Sequence, residues 1–371
     1  MAASTREIVD LYDPARPLAQ ASTIPAAWYI DPRIAELERR TVFSNSWQMI
    51  GRSGQLRDPG QYITAEVAGE PVLAVRGSDG VLRGFFNVCR HHAAAVMSAA
   101  EGTARHLRCP YHGWTYTLEG ALAGAPQFAG VRDFDPAQNG LVPLAVAEWE
   151  GWVFARLEAQ GADLPGFLST SLIAQTGELR LSTLHWLERR SYLLDCNWKV
   201  FVDNYLDGGY HVAHLHHGLD SVLAPGQYSI ETGERHCVQS SPLAATAVDT
   251  DTAAVRTGNA AFYFWVYPNF MINWYEGVMD TNLVVARGTD RTEVVFDYYF
   301  ADVTGASRDR NLASIAVSER IQDEDAAICR SVQRGLRSRS YVAGRLSVKR
   351  EAGEHLFHRL LHADLTAGSS R

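Results

Sequence analysis

The chain is poor in the features that would place it in a class at once. Its 371 residues include five cysteines, too few for a disulfide framework, and Cys196, Cys237 and Cys329 stand so far apart in sequence that they are expected to be reduced, buried thiols. No apolar run approaches the ~20 residues of a membrane span and the opening residues lack an apolar h-region, so neither insertion nor export is indicated and a cytoplasmic location is the default expectation. Basic residues are outnumbered, Lys+Arg 34 against Asp+Glu 42. The formal charge of -8 lacks the basic footprint of general nucleic-acid binding, yet it does not oppose a cationic small molecule. There is no internal repeat, no low-complexity segment, and no G-x-G-x-x-G after a strand-like run to hold a nicotinamide or flavin. What remains, 46% hydrophobic and 20% charged, is ordinary for a globular protein and long enough for two domains.

What is present is concentrated in two histidine-bearing segments. The first pairs Cys89-Arg90-His91-His92 with Cys109-Pro110-Tyr111-His112-Gly113-Trp114, a C-x-H...C-x-x-H arrangement. Two thiolates and two imidazoles are what a Rieske [2Fe–2S] centre needs, and imidazoles on one iron raise the potential above that of an all-thiolate cluster. Cys89 and Cys109 are expected to hold one iron, His91 and His112 the other. A zinc site with two cysteines and two histidines has the same ligand count but usually wider spacing within each pair, and a Cys89–Cys109 disulfide would leave both histidines unexplained. The segment is similar to the Rieske domain of the non-haem iron oxygenases. That family commonly has Arg-Gly after its first cluster histidine; this chain has His92-Ala93, and spacing favours His91 as the ligand.

Around this motif the pattern is strand-rich. Residues 71–76 and 81–86 flank Gly77-Ser78-Asp79-Gly80, a hairpin signal. Before it, Asp31-Pro32 opens a helical stretch to Phe43, with Asp as N-cap and Pro at the first helical position. After it, Gly161 to Gly166 reads as a linker. Beyond lie a helix over 197–217, strand-like runs at 261–275, 281–287 and 293–300, a long helix over 314–336 and a short C-terminal helix. The expectation is an α+β protein: an N-terminal segment, 1–44, packing on the body; a β-rich cluster domain, 45–157; and a catalytic domain, 158–371, with an antiparallel sheet against helices.

The second segment places His211, His214, His216 and His217 close together. Helix geometry alone pairs His211 with His214. The resemblance to the oxygenases, whose iron histidines are spaced His-x4-His, selects His211 and His216 instead and implies a distorted or ended helix between them. His214 and His217 are then expected at the surface or behind the ligands. A facial triad also needs a carboxylate. Positions 321, 325, 328, 332 and 336 read Ile, Asp, Ile, Val and Leu, a helical stripe that puts Asp325 on a buried face and Asp323 and Glu324 toward solvent. An N-cap or an arginine salt bridge is the structural alternative for Asp325; the family places this carboxylate eight residues before a glutamine, here Gln333.

The likeness extends over nearly the whole chain and is nearest to the choline monooxygenase group, through Ile24-Pro25-Ala26-Ala27-Trp28-Tyr29, Asn204-Tyr205-Leu206-Asp207-Gly208-Gly209-Tyr210-His211-Val212, Tyr267-Pro268-Asn269-Phe270-Met271-Ile272-Asn273 and Val332-Gln333-Arg334-Gly335-Leu336. The resemblance implies a monooxygenase hydroxylating choline toward betaine aldehyde with O2, a Rieske cluster and mononuclear Fe(II). An N-demethylase of a betaine- or carnitine-like compound and an aromatic-ring hydroxylase are alternatives, and an electron carrier without oxygen chemistry is the non-catalytic one. With no plant-type ferredoxin cysteine set in the chain, a separate ferredoxin or flavin reductase is implied, and the resemblance implies a homotrimer passing electrons between subunits. Strand alternation puts Tyr263, Trp265 and Tyr267 on one face, as an ammonium cage or as core packing. Many relatives place an acid three residues before the first iron histidine to couple the two metal centres; here that residue is Gly208. Asp207 and Asp203 are the nearby carboxylates, Asp207 favoured, with Asn204 beside them in the same catalytic group.

Overall fold

The computed structural model describes residues 3–158, 160–244 and 249–369. They divide into two compact units, one of Phe43–Phe167 and one formed by the chain up to Val42 and from Leu168 onward.

The smaller unit is a seven-stranded antiparallel sheet in the order Gln48–Arg52, Trp152–Arg156, Pro143–Trp149, Leu82–Phe86, Glu70–Arg76, Gln61–Val67, Glu101–Thr103, with a three-stranded sheet of Leu107–Arg108, Thr115–Tyr116 and Leu122–Gly124. The expected hairpin forms: Val72 faces Phe86, and Gly77 donates its N–H to the Val81 carbonyl. Gly80 turns the chain with φ +79, which costs a glycine little. Cys89 follows directly from the strand Leu82–Phe86, and Cys109 sits in the turn between two short strands, so the ordered backbone of both sheets fixes the metal-binding loops.

In the larger unit seven antiparallel strands run His185–Leu194, Thr292–Phe300, Val278–Ala286, Phe270–Tyr275, Ala260–Val266, His236–Pro242, Ser229–Thr232. The single strand-like run at 261–275 is two strands, because Tyr267-Pro268-Asn269 cannot continue a ladder and turns it back. Residues 164–168, at the end of the expected linker, are helical instead. The helix over 197–217 is three pieces: Trp198–Leu206, Val212–Leu215 and His217–Val222. Gly208 and Gly209, at φ +68 and +65, break the first. No side chain fits at Gly208, since a Cβ there would stand 2.0 Å from the Arg350 carbonyl oxygen.

The long helix spans Arg308–Leu336 and the C-terminal one Ala352–Ser369. The apolar stripe on the long helix is only in part its buried face. Ile328 and Val332 are exposed, and the buried side is Ser318, Gln322, Cys329, Gln333 and Leu336. Asp325 lies at the edge of that side, partly covered. The N-terminal segment joins this unit through a buried ion pair: Lys199 Nζ donates to Glu38 Oε1 at 2.5 Å and Trp198 Nε1 to Glu38 Oε2 at 2.8 Å. No described helix is long and apolar enough to cross a membrane.

Candidate functional site

The two cysteine loops of the smaller unit repeat one backbone motif. Cys89 N–H donates to the Ala94 carbonyl and Ala93 N–H to the Cys89 carbonyl; Cys109 N–H donates to Trp114 and Gly113 N–H to Cys109. Each loop therefore needs a left-handed residue four positions after its cysteine. Gly113 meets this at φ +76, but Ala93 is held at φ +59, so the alanine in place of the family's glycine carries local strain. Both thiols are buried and free, which removes the disulfide alternative, and burial pushes the Cys109 thiol up. The His91 ring lies 4.6 Å from the His112 ring and stacks on Trp114 at 4.9 Å, and its Nδ1 is buried without a partner. Two sequestered thiols, two imidazoles and an orphaned ring nitrogen form a donor set that fits a Rieske cluster. His92 is exposed.

In the larger unit, ligand atoms of His211, His216 and Asp325 lie within 4.8 Å of one another. Asp325 Oδ1 is 3.0 Å from His216 Nε2 and 3.8 Å from His211 Nε2. The opposite nitrogens are already engaged: His211 Nδ1 meets Asp207 Oδ2 at 2.6 Å and His216 Nδ1 meets Glu324 Oε2 at 2.6 Å. A carboxylate on Nδ1 holds the proton there and leaves each Nε2 as a lone pair. Lone pairs converging on a carboxylate oxygen repel unless a cation lies among them, so the set fits a two-histidine, one-carboxylate metal site. Glu324 is exposed, as its place off the stripe implies, yet its carboxylate reaches His216 from one residue before Asp325.

Asn204 Nδ2 donates to Asp325 Oδ1 at 2.8 Å and orients the carboxylate. Asp207, freed from helix geometry by the glycine pair, also accepts the His211 and Tyr210 backbone N–H groups. Asp203 goes elsewhere: its oxygens accept from Tyr29 Oη at 2.5 Å and His358 Nε2 at 3.0 Å, inside the fold. His214 and His217 are exposed.

A cavity of about 120 Å³ is lined by the three donors and by Tyr205, Tyr228, Tyr263 and Tyr275. Of the three aromatics expected on one strand face, only Tyr263 lines it. Trp265 donates Nε1–H to the Pro268 carbonyl and packs on Phe357, and Tyr267 Oη donates to Asp364, so the C-terminal helix covers that end of the face. Tyr205, Tyr228, Tyr275 and Glu324 were not readable in sequence, because they reach the site from separate elements. Asp280 and Asn282, also in the cavity wall, did leave a trace: two polar residues at alternate positions in an apolar strand.

Comparisons with known proteins agree with this construction. A model of the Rieske [2Fe-2S] domain matches residues 46–135, and one of the ring hydroxylating alpha subunit (catalytic domain) matches 181–367. The chain is 38% identical to the chloroplastic choline monooxygenase of Arabidopsis thaliana over 97% of this chain and 86% of that protein. It is 32% identical to the carnitine monooxygenase oxygenase subunit of Escherichia coli (strain K12) over 87% of this chain and 86% of that one. The crystal structure of the quaternary ammonium Rieske monooxygenase CntA with L-carnitine superposes with a TM-score of 0.81 at 26% identity, covering 99% of both chains. Two donor sets of the right chemistry, one in each matched domain, make this chain a member of the Rieske non-haem iron oxygenases, an oxidoreductase with a [2Fe–2S] cluster and a mononuclear iron that acts on a small molecule with O2.

Proposed function

We propose that this chain is the oxygenase component that hydroxylates a small quaternary ammonium compound, with choline to betaine aldehyde as its main reaction. The observation that carries the reading is the tyrosine-walled cavity opening onto the His211, His216 and Asp325 donors. Aromatic faces attract a quaternary ammonium group, which cannot donate hydrogen bonds, by roughly 0.5–2 kcal/mol each. His211, His216 and Asp325 would hold the mononuclear iron, and Cys89, His91, Cys109 and His112 the cluster. When bound, these groups supply dioxygen activation and single-electron delivery. The chain's own residues do the rest. Asp207 and Glu324 fix the imidazole tautomers, Asn204 aims Asp325, and the aromatic wall excludes water and holds the carbon to be hydroxylated beside the metal donors.

Asp207 is also the carboxylate we assign to coupling the two centres, since the Gly208 position admits no side chain and Asp207 already holds His211. Electrons come from a separate ferredoxin or flavin reductase, in a homotrimer with transfer between subunits; a solved structure of a quaternary ammonium Rieske monooxygenase is described as revealing inter-subunit electron transfer. Action on a betaine- or carnitine-like compound is the second reading, favoured by the carnitine monooxygenase relatives. Product analysis decides: the loaded enzyme receives reduced carrier, O2 and, separately, choline, glycine betaine, carnitine and simple aromatics. Betaine aldehyde from choline supports the first reading, formaldehyde from betaine the second, and hydroxylated aromatics alone would refute both.

A further inference from the structure

Two carboxylates line the cavity among the described residues, and only Asp325 belongs to the metal donors. The other, Asp280, is 5% exposed in the otherwise buried first half of the strand Val278–Ala286. Its place is set by register. Gln239 pairs with Tyr263, Tyr263 with Asn273, and Asn273 with Asp280, so these four residues form a row across neighbouring strands, and all four line the cavity. Tyr205 Oη donates to Asn273 Oδ1 at 2.8 Å, which turns the Asn273 amide so that Nδ2 donates to Asp280 Oδ2 at 2.7 Å. Asn282 Nδ2 donates to the same Oδ2 at 3.2 Å. Among the described residues Asp280 Oδ1 accepts nothing.

A carboxylate buried with one oxygen unused is costly unless a cation meets it. Arg256 is not that partner. Its Nη1 and Nη2 donate to Ser314 and Ser318 hydroxyls at 2.5 and 2.7 Å, its guanidinium lies 5.0 Å from the Tyr275 ring centroid, and it reaches Asp280 only through space. Burial pushes the Asp280 carboxyl up, against Arg256 and the two amides, as expected of an acid still short of a counter-charge.

We propose that Asp280 is the counter-charge for the ammonium head of the substrate and a specificity-determining residue, selecting a cation without a carboxylate over a zwitterion. The inference rests on the quaternary ammonium reading above. The open group in the wall is a carboxylate oxygen, whereas both terminal nitrogens of the guanidinium are already engaged.

The test is equilibrium binding to the holoenzyme by calorimetry, with choline, its uncharged analogue carrying carbon in place of nitrogen, and L-carnitine. Cluster absorption and thermal melting report folding of each variant. The wild-type protein should bind choline at least about 30-fold more tightly than the uncharged analogue, the scale expected for a desolvated charge pair, and more tightly than carnitine. Asp280→Asn keeps the shape and the amide contacts; it should remove most of that preference by weakening choline alone, leaving the uncharged analogue unchanged. Should Asp280→Asn not fold, Arg256→Met reads the same field with opposite sign: removing the opposing cation should increase the preference for choline. A preference that survives Asp280→Asn, or falls in Arg256→Met, overturns the assignment and leaves the ammonium reading standing. Tighter wild-type binding of carnitine than of choline overturns the selection of cation over zwitterion. No binding of any ammonium compound to the wild type removes both readings together.

Discussion

In the smaller unit all four metal donors come from one stretch, Cys89 to His112, on two turns that repeat the same backbone hydrogen bonds. In the larger unit His216 and Asp325 stand 109 residues apart, and the groups that hold the donors, Asp207 on His211, Glu324 on His216 and Asn204 on Asp325, come from both helical segments. Local strands and turns hold the first donor set; long-range packing holds the second. The first should therefore fail or survive as a unit, while the second should be open to graded damage through its supporting residues.

The largest effect expected is on the cluster: Cys109→Ser should abolish its visible absorption while the larger unit keeps its iron, read by metal analysis. Loss of both metals together would show that the two sites are not separable. Next, Asp325→Ala should remove turnover and the mononuclear iron and leave the cluster spectrum unaltered; full activity with iron retained would sink the triad. Graded damage is tested by Glu324→Gln and Asp207→Asn, each expected to weaken iron affinity or activity by about 10–100-fold. If Asp207 also couples the centres, Asp207→Asn alone should slow cluster reoxidation in a single turnover begun with the cluster reduced, and unchanged reoxidation would deny it that role. In the packed end of the strand Ala260–Val266, Trp265→Ala should cost about 3–5 kcal/mol of stability in denaturant melts without altering substrate affinity in the folded fraction. A selective affinity loss there would return Trp265 to the binding site. The smallest effect is a gain: Ala93→Gly relieves a left-handed alanine in the first cysteine loop and should stabilise the protein by about 1 kcal/mol. Destabilisation instead would mean the alanine methyl makes contacts worth more than the strain.

The same contrast explains what could be read in advance. The cluster motif, the 71–86 hairpin and the sheet-with-helices character of the larger unit follow from spacing and alternation, which are local. Asp325 lies on a stripe of which Ile328 and Val332 are exposed and Leu336 is buried; the residue fits the metal site, but the stripe is only in part the face the helix buries. Periodicity finds an apolar stripe without saying what covers it. Tyr263 and Trp265 alternate along the strand Ala260–Val266 and Tyr267 follows in the turn beyond it, yet the C-terminal helix packs on the last two, and nothing local to the strand encodes that.

The sequence alone determined the chemistry available: two thiols and two imidazoles at cluster spacing, a histidine-rich segment broken by Gly208-Gly209, and enough apolar alternation for an antiparallel sheet. Tertiary structure decided which atoms meet. Packing helices against the seven-stranded sheet placed Glu324 behind His216, turned Asp203 to the interior with His358, and lined up Tyr263, Asn273 and Asp280 across three strands. The physical reason is that ligand spacing within a loop is fixed by a few backbone dihedrals, whereas a cavity wall is fixed by strand register and helix docking. Those depend on side chains more than a hundred residues away.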